Sequence, residues 1–143
     1  MLFPTMTTTK SSTPDIPTLL HRPGTTVAII GATDHPTKYG GTIYRDLKSK
    51  GFTVFAVNPY RDEVDGDRCW HSVHDLPETP TIVDFVVPPA RTLDVLAECL
   101  ALGYTNVWIQ PGAEDDAVLE YLSANDFNYL ANSCIMVNAR AVD

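Results

Sequence analysis

Long apolar segments are absent from this 143-residue sequence. No uninterrupted apolar run approaches the roughly 20 residues that a bilayer-spanning helix needs, so a transmembrane protein is excluded. The opening stretch MLFPTMTTTKSSTPD lacks the charged start, apolar segment and cleavage site of a secretory signal. We therefore expect a cytoplasmic protein whose residues 1–15 form a disordered tail.

Cysteine is scarce, and the three that occur, Cys69, Cys99 and Cys134, include no C-x-x-C pair. An odd number without paired spacing predicts neither a disulfide framework nor a zinc site. The histidines His71 and His74 are spaced for one helix face but lack a third ligand. We therefore predict no metal site.

Basic residues are outnumbered, with 10 Lys and Arg against 18 Asp and Glu and a formal net charge of -8. Such an acidic surface repels nucleic acid and anionic membranes, so neither is predicted as a partner. It also repels phosphorylated ligands at long range. Any phosphate site must therefore rely on local backbone N–H groups and a few well-placed cations.

The two best-known glycine fingerprints are also missing. No G-x-x-x-x-G-K-[ST] sequence occurs, which excludes a P-loop. A dinucleotide fold needs G-x-G-x-x-G and an acid closing its second strand, but Thr33 replaces the second glycine and the strand ends in Asn58-Pro59. Both observations argue against NAD, and an NAD(P)-binding oxidoreductase domain is kept as the alternative.

What the sequence does contain is an alternation of strand and helix patterns. Five short apolar runs predict strands buried on both faces, at residues 26–30, 53–57, 81–87, 106–110 and 127–130. Amphipathic patterns predict helices at residues 41–50, 90–102 and 114–123, after a helical turn at 16–21. The link 58–80 holds only a short turn at 72–76.

This alternation predicts an α/β fold, a Rossmann-like doubly wound sheet of five mainly parallel strands in the order 3-2-1-4-5 with helices on both faces. The main crevice would then lie between the first and fourth strands. We expect residues 16–143 to form a single domain. Asp84, an acid inside the third predicted strand, has no assigned role.

Each predicted strand ends in an unusual sequence, in turn GATDHPTKYGG, NPYR, PPAR, QPG and NSC. Because the carboxyl ends of parallel strands meet at one edge, these endings should line one site. Gly31 allows a tight turn, and a helix beginning near Gly40 and Gly41 would direct free N–H groups at an anion. Lys38 is either a cation for phosphate groups or a solvated surface charge.

The sequence PPAR after the third predicted strand contributes apolar residues to this edge. Pro88 and Pro89 either terminate the strand or form a rigid ledge that suits an adenine ring or a pantetheine stem. Arg61 and Arg91, on neighbouring loops, are either further cations for phosphate groups or surface arginines.

Four pieces carry a family resemblance: VAIIGATDHPTKYGGTIYRDLKSKGFTVFAVNP, SVHDLPETPTIVDFVVPP, ALGYTNVWIQPGA and NSCIMV. In this order and spacing they resemble the small stand-alone CoA-binding proteins, whose Rossmann-type domain is related to the CoA-binding domain of the succinyl-CoA synthetase alpha subunit. The resemblance runs from about Thr25 to Val137. It implies a bound coenzyme A or acyl-CoA as the cofactor.

The resemblance also implies contact residues. These are Gly31, Ala32, Thr33, Lys38, Tyr39 and Gly40 for the phosphates, Asn58, Pro59, Tyr60 and Arg61 for the nucleotide end, and Val87, Pro88, Pro89, Gln110, Pro111 and Gly112 for the two further turns. Arg61 would substitute for a lysine often found nearby. The sequence KYG departs from relatives that have an arginine and a serine in the first loop.

Cys134 follows the fifth predicted strand and has two interpretations. It either meets the CoA thiol in a mixed disulfide or other redox contact, or is a small buried apolar residue. The sequence shows no nucleophile with a base and an orienting group, so a binding module, acting as carrier, sensor or accessory subunit, is favoured over an enzyme.

Other readings stay open beside this one. A nucleotide-sensing repressor would need a basic helix-turn-helix before the first strand, and an acidic interaction module without a ligand is compatible with the composition. A homodimer is compatible with a small domain of this kind.

Overall fold

The computed structural model describes residues 6–8 and 14–142, which form one twisted sheet flanked by helices. Its strands are β1 Met6–Thr8, β2 Thr26–Ile30, β3 Thr53–Val57, β4 Glu63–Val64, β5 Asp67–Trp70, β6 Ile82–Phe85, β7 Asn106–Ile109 and β8 Asn128–Ala131. Its helices are α1 Ile16–Leu20, α2 Tyr39–Ser49, α3 Pro89–Leu102, α4 Asp116–Ala124 and α5 Ile135–Asn138, with a 3-10 turn at Val73–Asp75.

The strands lie in the order β1-β8-β7-β6-β2-β3-β5-β4. All central pairs are parallel, and only β1 on β8 and β4 on β5 are antiparallel. The α/β class and the mainly parallel Rossmann-like sheet are therefore confirmed. The predicted count of five strands is wrong, and so is the order 3-2-1-4-5, because β6 pairs directly with β2 through Ile29 and Asp84. The reversal of winding consequently lies between β2 and β6.

The long link after β3 explains this difference. It folds into the β4–β5 hairpin, in which Cys69 pairs with Ala56 and Trp70 with Val57. The hairpin thus occupies the place beside β3 that the prediction gave to β6, and β6 inserts on the other side of β2. The two hairpin strands are too short and too polar for an apolar pattern to reveal them.

Both faces of the sheet are covered, as predicted. In β2, Val27 and Ile29 pack with α1, α2 and α5, whereas Ala28 and Ile30 pack with α3 and α4. This alternation follows from the two-residue period of a strand. The fully buried Trp108 belongs to the first of these two cores.

The N-terminal region departs from the predicted tail over residues 6–8, which pair with β8 as β1. Residues 1–5 and 9–13 of that tail lie outside the described residues. Asp15 caps α1, since its side chain accepts a hydrogen bond from the Thr18 amide at 2.8 Å. The division into a tail and one domain stays a prediction. Within the described ranges, no helix combines the length and apolarity needed to cross a membrane.

Candidate functional site

A cleft of about 830 Å³ opens at the carboxyl edge of the sheet, where the loops after β2, β3, β6 and β7 meet. Four of the five predicted strand endings therefore converge. The predicted site residues that line the cleft are Gly31, Thr33, Lys38, Tyr39, Gly40, Asn58, Pro59, Tyr60, Arg61, Val87, Pro88, Pro89, Gln110, Pro111 and Gly112. Arg91 lines it as well.

Two predicted site residues do not line the cleft. Ala32 is fully buried and packs in the core beneath the first loop. Cys134 is only partly exposed and stands at the start of α5, where its carbonyl oxygen accepts from the Asn138 side chain at 3.0 Å. It follows β8, which is separated from β6 by β7, so its loop lies beyond the cleft. Contact of either residue with a ligand stays a prediction.

The first loop needs glycine at its turn. Gly31 has φ +98°, and a Cβ atom there would lie 2.6 Å from the Val86 carbonyl oxygen and 2.8 Å from Val87 Cγ1. Its amide donates to the Val57 carbonyl oxygen at 2.9 Å. Both the left-handed backbone and the close approach of the β6 loop therefore exclude a side chain at this position.

Gly40 and Gly41 have a packing role at the start of α2. A Cβ atom at Gly40 would overlap the Gly31 carbonyl oxygen, and one at Gly41 would overlap the Thr33 carbonyl oxygen. The two glycines thus let the first turn of α2 lie directly on the first loop. Close approach of a ligand to this backbone stays a prediction.

The starts of α2 and α3, which face the cleft, differ from those of α1 and α4, which do not. α1 and α4 are capped by the side chains of Asp15 and Asp115. α2 and α3 begin at Lys38 and Pro88, which make no side-chain cap, and neither helix has an acid in its first turn. α5 starts at Cys134, away from the cleft, and also lacks a side-chain cap, but its Ile135 amide donates to the Gln110 side chain at 3.3 Å. The positive ends of two helix dipoles therefore face the cleft without a compensating protein group.

Three cations line the same cleft, namely Lys38, Arg61 and Arg91. None of them forms a salt bridge with a residue that the structure describes. The same holds away from the cleft for Arg22, Arg45, Arg68 and Arg140, whereas Lys48 and Lys50 pair with aspartates. Arg91 even lies in the first turn of α3, where a cation opposes the helix dipole.

Asn58 joins two loops of the site. Its side-chain NH₂ group donates to the Ala32 carbonyl oxygen at 3.0 Å, and its side-chain oxygen accepts from the Tyr60 amide at 2.9 Å. Tyr60 and Tyr39 line the cleft with 88% and 59% of their surface exposed. Asn58 therefore positions the second loop against the first, and the two tyrosine rings are free to contact a ligand.

Sequence reasoning missed one wall of the cleft. Ser72 donates from its hydroxyl to Glu98 Oε1 at 3.1 Å, beside a slot lined by Val57, Val73 and Val95. Glu98 is the one acid among the described lining residues. The spacing of Arg91, Val95 and Glu98 along α3 is a helical one that could have indicated this wall. The 3-10 turn that carries Val73 gave no comparable signal.

The histidines do not converge on a common ligand. His71 Nε2 lies 2.9 Å from Asp62 Oδ1, and His74 Nε2 lies 3.4 Å from Glu98 Oε1. Over residues 6–8 and 14–142, no group of three or more His, Cys, Asp or Glu side chains could hold a metal ion.

Gln110 lies at the edge of the cleft, but its side chain turns inward. Its NH₂ group donates to Asp84 Oδ1 at 2.7 Å, and its oxygen accepts from the Ile135 amide at 3.3 Å. Gln110 is 3% exposed and Asp84 is fully buried. The predicted site residue therefore offers the cleft its backbone, and its amide group belongs to the interior.

Burial also affects the thiols. It raises the pKa of Cys69 to about 11 and the pKa of Cys99 to about 12. Both are therefore thiols at neutral pH, and neither lines the cleft.

Comparison with known proteins covers most of the chain. A family model described as CoA binding domain matches residues 25–140. The ADP-forming acetate–CoA ligase I of Archaeoglobus fulgidus is 38% identical over 73 residues, which are 51% of this chain and 11% of that protein. The alpha subunit of the ADP-forming acetate–CoA ligase II of Pyrococcus furiosus is 33% identical over 84 residues, 58% of this chain and 18% of that subunit. The chain thus spans under a fifth of either relative.

Solved structures match over a larger share. A conserved hypothetical protein from Pyrococcus furiosus superposes with a TM-score of 0.78 and 41% identity over 80% of this chain and 99% of that one. A hypothetical protein from Pyrococcus horikoshii OT3 has the same TM-score of 0.78 with 28% identity over 86% of each chain.

Proposed function

Since this chain belongs to the CoA-binding domain family, we propose that it binds coenzyme A or an acyl-CoA in the cleft at the carboxyl edge of its sheet. Membership confirms the resemblance drawn from the four sequence pieces. The observation that supports the proposal is that α2 and α3 both start at one cleft without a side-chain cap, beside three cations that form no salt bridge with a described residue.

The phosphates of the ligand would lie at the start of α2. There the first turn of the helix presents the backbone N–H groups of Tyr39 and Gly40, and Lys38 adds a positive charge. The amides of Gly31 and Ala32 already donate to the carbonyl oxygens of Val57 and Ile29, so Gly31 contributes the turn and not a donor. Arg61 lies in the loop after β3 and Arg91 in the first turn of α3, and neither forms a salt bridge with a carboxylate among the described residues. CoA carries a diphosphate and a separate ribose phosphate, so cations on several loops suit it.

The purine would lie in the slot formed by Val57, Val73 and Val95. Glu98 borders this slot, and a carboxylate oxygen there can accept from the exocyclic amine of adenine. The ledge of Pro88 and Pro89 is apolar and without N–H groups, which suits the pantetheine stem.

The alternative, an NAD(P)-binding oxidoreductase domain, is less well supported. It needs a carboxylate at the end of the second strand of the unit to hold a ribose hydroxyl. Asn58 stands there, and its amide group already bonds the Ala32 carbonyl oxygen and the Tyr60 amide.

A binding role as carrier, sensor or accessory module agrees with the chemistry of the cleft. Among the described lining residues, no histidine ring is held as a base between a carboxylate and a hydroxyl. Ser72 donates to Glu98, and the ring of His35 contacts the Thr37 hydroxyl at 3.0 Å but no carboxylate of a described residue. An activated nucleophile requires such a base.

Titration calorimetry against CoA, acetyl-CoA, NADH and ATP tests the proposal. CoA or acetyl-CoA should bind, and NADH should bind far more weakly. Binding of NADH without binding of CoA would instead establish the alternative.

A further inference from the structure

We propose that Asp84 is a positioning residue that works in its neutral, protonated form: through Gln110 it holds the turn at Pro111 and Gly112 in place, and it thereby makes the cleft sensitive to a single proton. The part of this proposal that concerns ligand affinity rests on the proposed function. The part that concerns Gln110 does not.

Asp84 lies in the middle of the sheet, far from water. It is fully buried in β6 between Ile29 of β2 and Trp108 of β7, which flank it in register. Its Oδ1 accepts from the Gln110 side chain at 2.7 Å, and its Oδ2 is buried without a hydrogen-bond partner. The carboxyl group thus has one neutral partner and no cation.

No described residue forms a salt bridge with the Asp84 carboxyl group. α1, α5, β2 and β7 have no titratable side chain. The titratable or charged side chains contributed to this face by α2, its C-cap and β5 include Tyr44, Asp46, Lys50 and Cys69. The tyrosine donates to Asp67, the lysine pairs with Asp46, and the thiol contacts backbone carbonyl oxygens.

A buried carboxylate with one hydrogen bond and no counter-ion is strongly disfavoured, so the group stays protonated at neutral pH. Burial raises the pKa of Asp84 from 3.8 to about 8. The proton is therefore held across the neutral range and lost in mildly alkaline solution.

Gln110 transmits the state of Asp84 to the cleft. Its backbone amide donates to the Phe85 carbonyl oxygen at 3.1 Å, and its carbonyl oxygen accepts from the Ala113 amide at 3.0 Å, which closes the turn. Its side chain bridges Asp84 and the Ile135 amide. Among the described residues Gln110 is the sole hydrogen-bond partner of the carboxyl group, and its NH₂ group binds an ionised Asp84 more strongly than a neutral one. Because the ionised Oδ2 still lacks a donor, the Gln110 side chain shifts toward the carboxylate and away from the Ile135 amide, and the turn moves with it.

The sign of the stability effect follows from proton binding. The native state holds the proton up to about pH 8, whereas the unfolded chain releases it near 3.8. The contribution of Asp84 to the free energy of unfolding is therefore largest below pH 3.8 and falls as the pH rises from 3.8 to about 8. Above about pH 8 it no longer changes with pH. Relative to Asp84→Asn, whose amide is neutral and of the same shape, the wild-type folding constant should fall about tenfold per pH unit between pH 3.8 and about 8.

Three measurements on the full chain test the proposal, with Asp84→Asn as the main variant and Asp116→Asn as the control that removes an exposed acid. Urea unfolding is measured from pH 5 to 9. The folding constant of the wild type should fall about tenfold per pH unit, up to about pH 8, relative to that of Asp84→Asn, and should show no such fall relative to Asp116→Asn. Carbon NMR of the Asp84 carboxyl should titrate in alkaline solution. Hydrogen exchange should show protection of the Ile135 amide falling above pH 8 in the wild type and not in Asp84→Asn.

Calorimetry with acetyl-CoA, whose thiol is blocked, tests the link to the cleft. If only the neutral form binds, the wild-type affinity should fall about tenfold between pH 7 and pH 9, and that of Asp84→Asn should change less than about twofold. Equal pH profiles in the two proteins, or an Asp84 carboxyl that titrates near its ordinary value, would overturn the proposal. No acetyl-CoA binding at pH 7 would overturn the proposed function, while the NMR and exchange data would still decide the role of Asp84.

Discussion

The side-chain amide of Asn58 donates a hydrogen bond to the carbonyl oxygen of Ala32 over 3.0 Å, and so joins the loops that follow two neighbouring parallel strands. The same side chain accepts from the Tyr60 amide at 2.9 Å. A residue that does not need to touch the ligand therefore sets the distance between the two sides of the cleft.

We expect Asn58→Ala to lower the free energy of unfolding by about 1–3 kcal/mol, because the two backbone groups lose their partners. The affinity for CoA should fall as well, since the second loop loses its anchor. Urea unfolding and calorimetry measure the two effects. Asn58→Asp is the informative companion, because it keeps the acceptor for Tyr60, loses the donor to Ala32 and adds a negative charge to the cleft, so its loss of CoA affinity should be larger than that of Asn58→Ala. Full affinity in both variants would show that the loops are held by other contacts.

Gly31→Ala should destabilise the fold more than Gly103→Ala. Both glycines have positive φ, +98° and +79°, but a Cβ at Gly31 would lie 2.6 Å from the Val86 carbonyl oxygen, whereas nothing lies within 4 Å of one at Gly103. The backbone strain common to both costs about 1 kcal/mol, and the overlap at Gly31 adds to it. Urea unfolding of the two variants gives the comparison directly, and equal losses of stability would contradict the proposed close contact.

Removal of the cleft cations should weaken ligand binding selectively. Lys38→Ala and Arg91→Ala should each reduce CoA affinity by about tenfold, as expected for loss of one charge-assisted phosphate contact. Lys48→Ala is the matched control, because this lysine pairs with Asp65 and Asp67 on the surface and does not line the cleft. The affinity of the two cleft variants should also depend less on salt than that of the wild type. If Lys48→Ala loses as much affinity as they do, general surface charge is responsible.

Glu98→Ala should distinguish the purine end of the ligand from its phosphate end. The change removes the carboxylate that Ser72 contacts at 3.1 Å and that borders the apolar slot. We expect about a tenfold loss of CoA affinity from a lost hydrogen bond, with binding of phosphopantetheine, which has no purine, left unchanged. Calorimetry with both ligands is the measurement. A parallel loss for the two ligands would place the purine elsewhere in the cleft.

Sequence periodicity predicted much of this architecture, because it is a local property. The apolar runs of β2, β3, β6, β7 and β8 and the amphipathic patterns of α2, α3 and α4 correspond to the observed elements within a few residues. Since parallel strands end at one edge, the same reasoning brought most of the predicted lining residues together without knowledge of the strand order.

Strand order depends on which segments pair with each other, and these segments are far apart in the sequence. The hairpin that contains Glu63–Val64 and Asp67–Trp70 has too few residues to produce a pattern, yet it fills the place beside β3 and sends β6 to the other side of β2. The same shift explains why Cys134 lies outside the cleft.

The sequence by itself thus determined the class of fold, the carboxyl-edge site and the family, because each depends on short-range patterns and on the order of motifs along the chain. Only the tertiary structure decided that Gln110 turns inward to a buried Asp84 and that Ser72 meets Glu98 in one wall of the cleft. In both pairs the partners are 26 residues apart, and such contacts exist only once packing has placed two separate elements side by side.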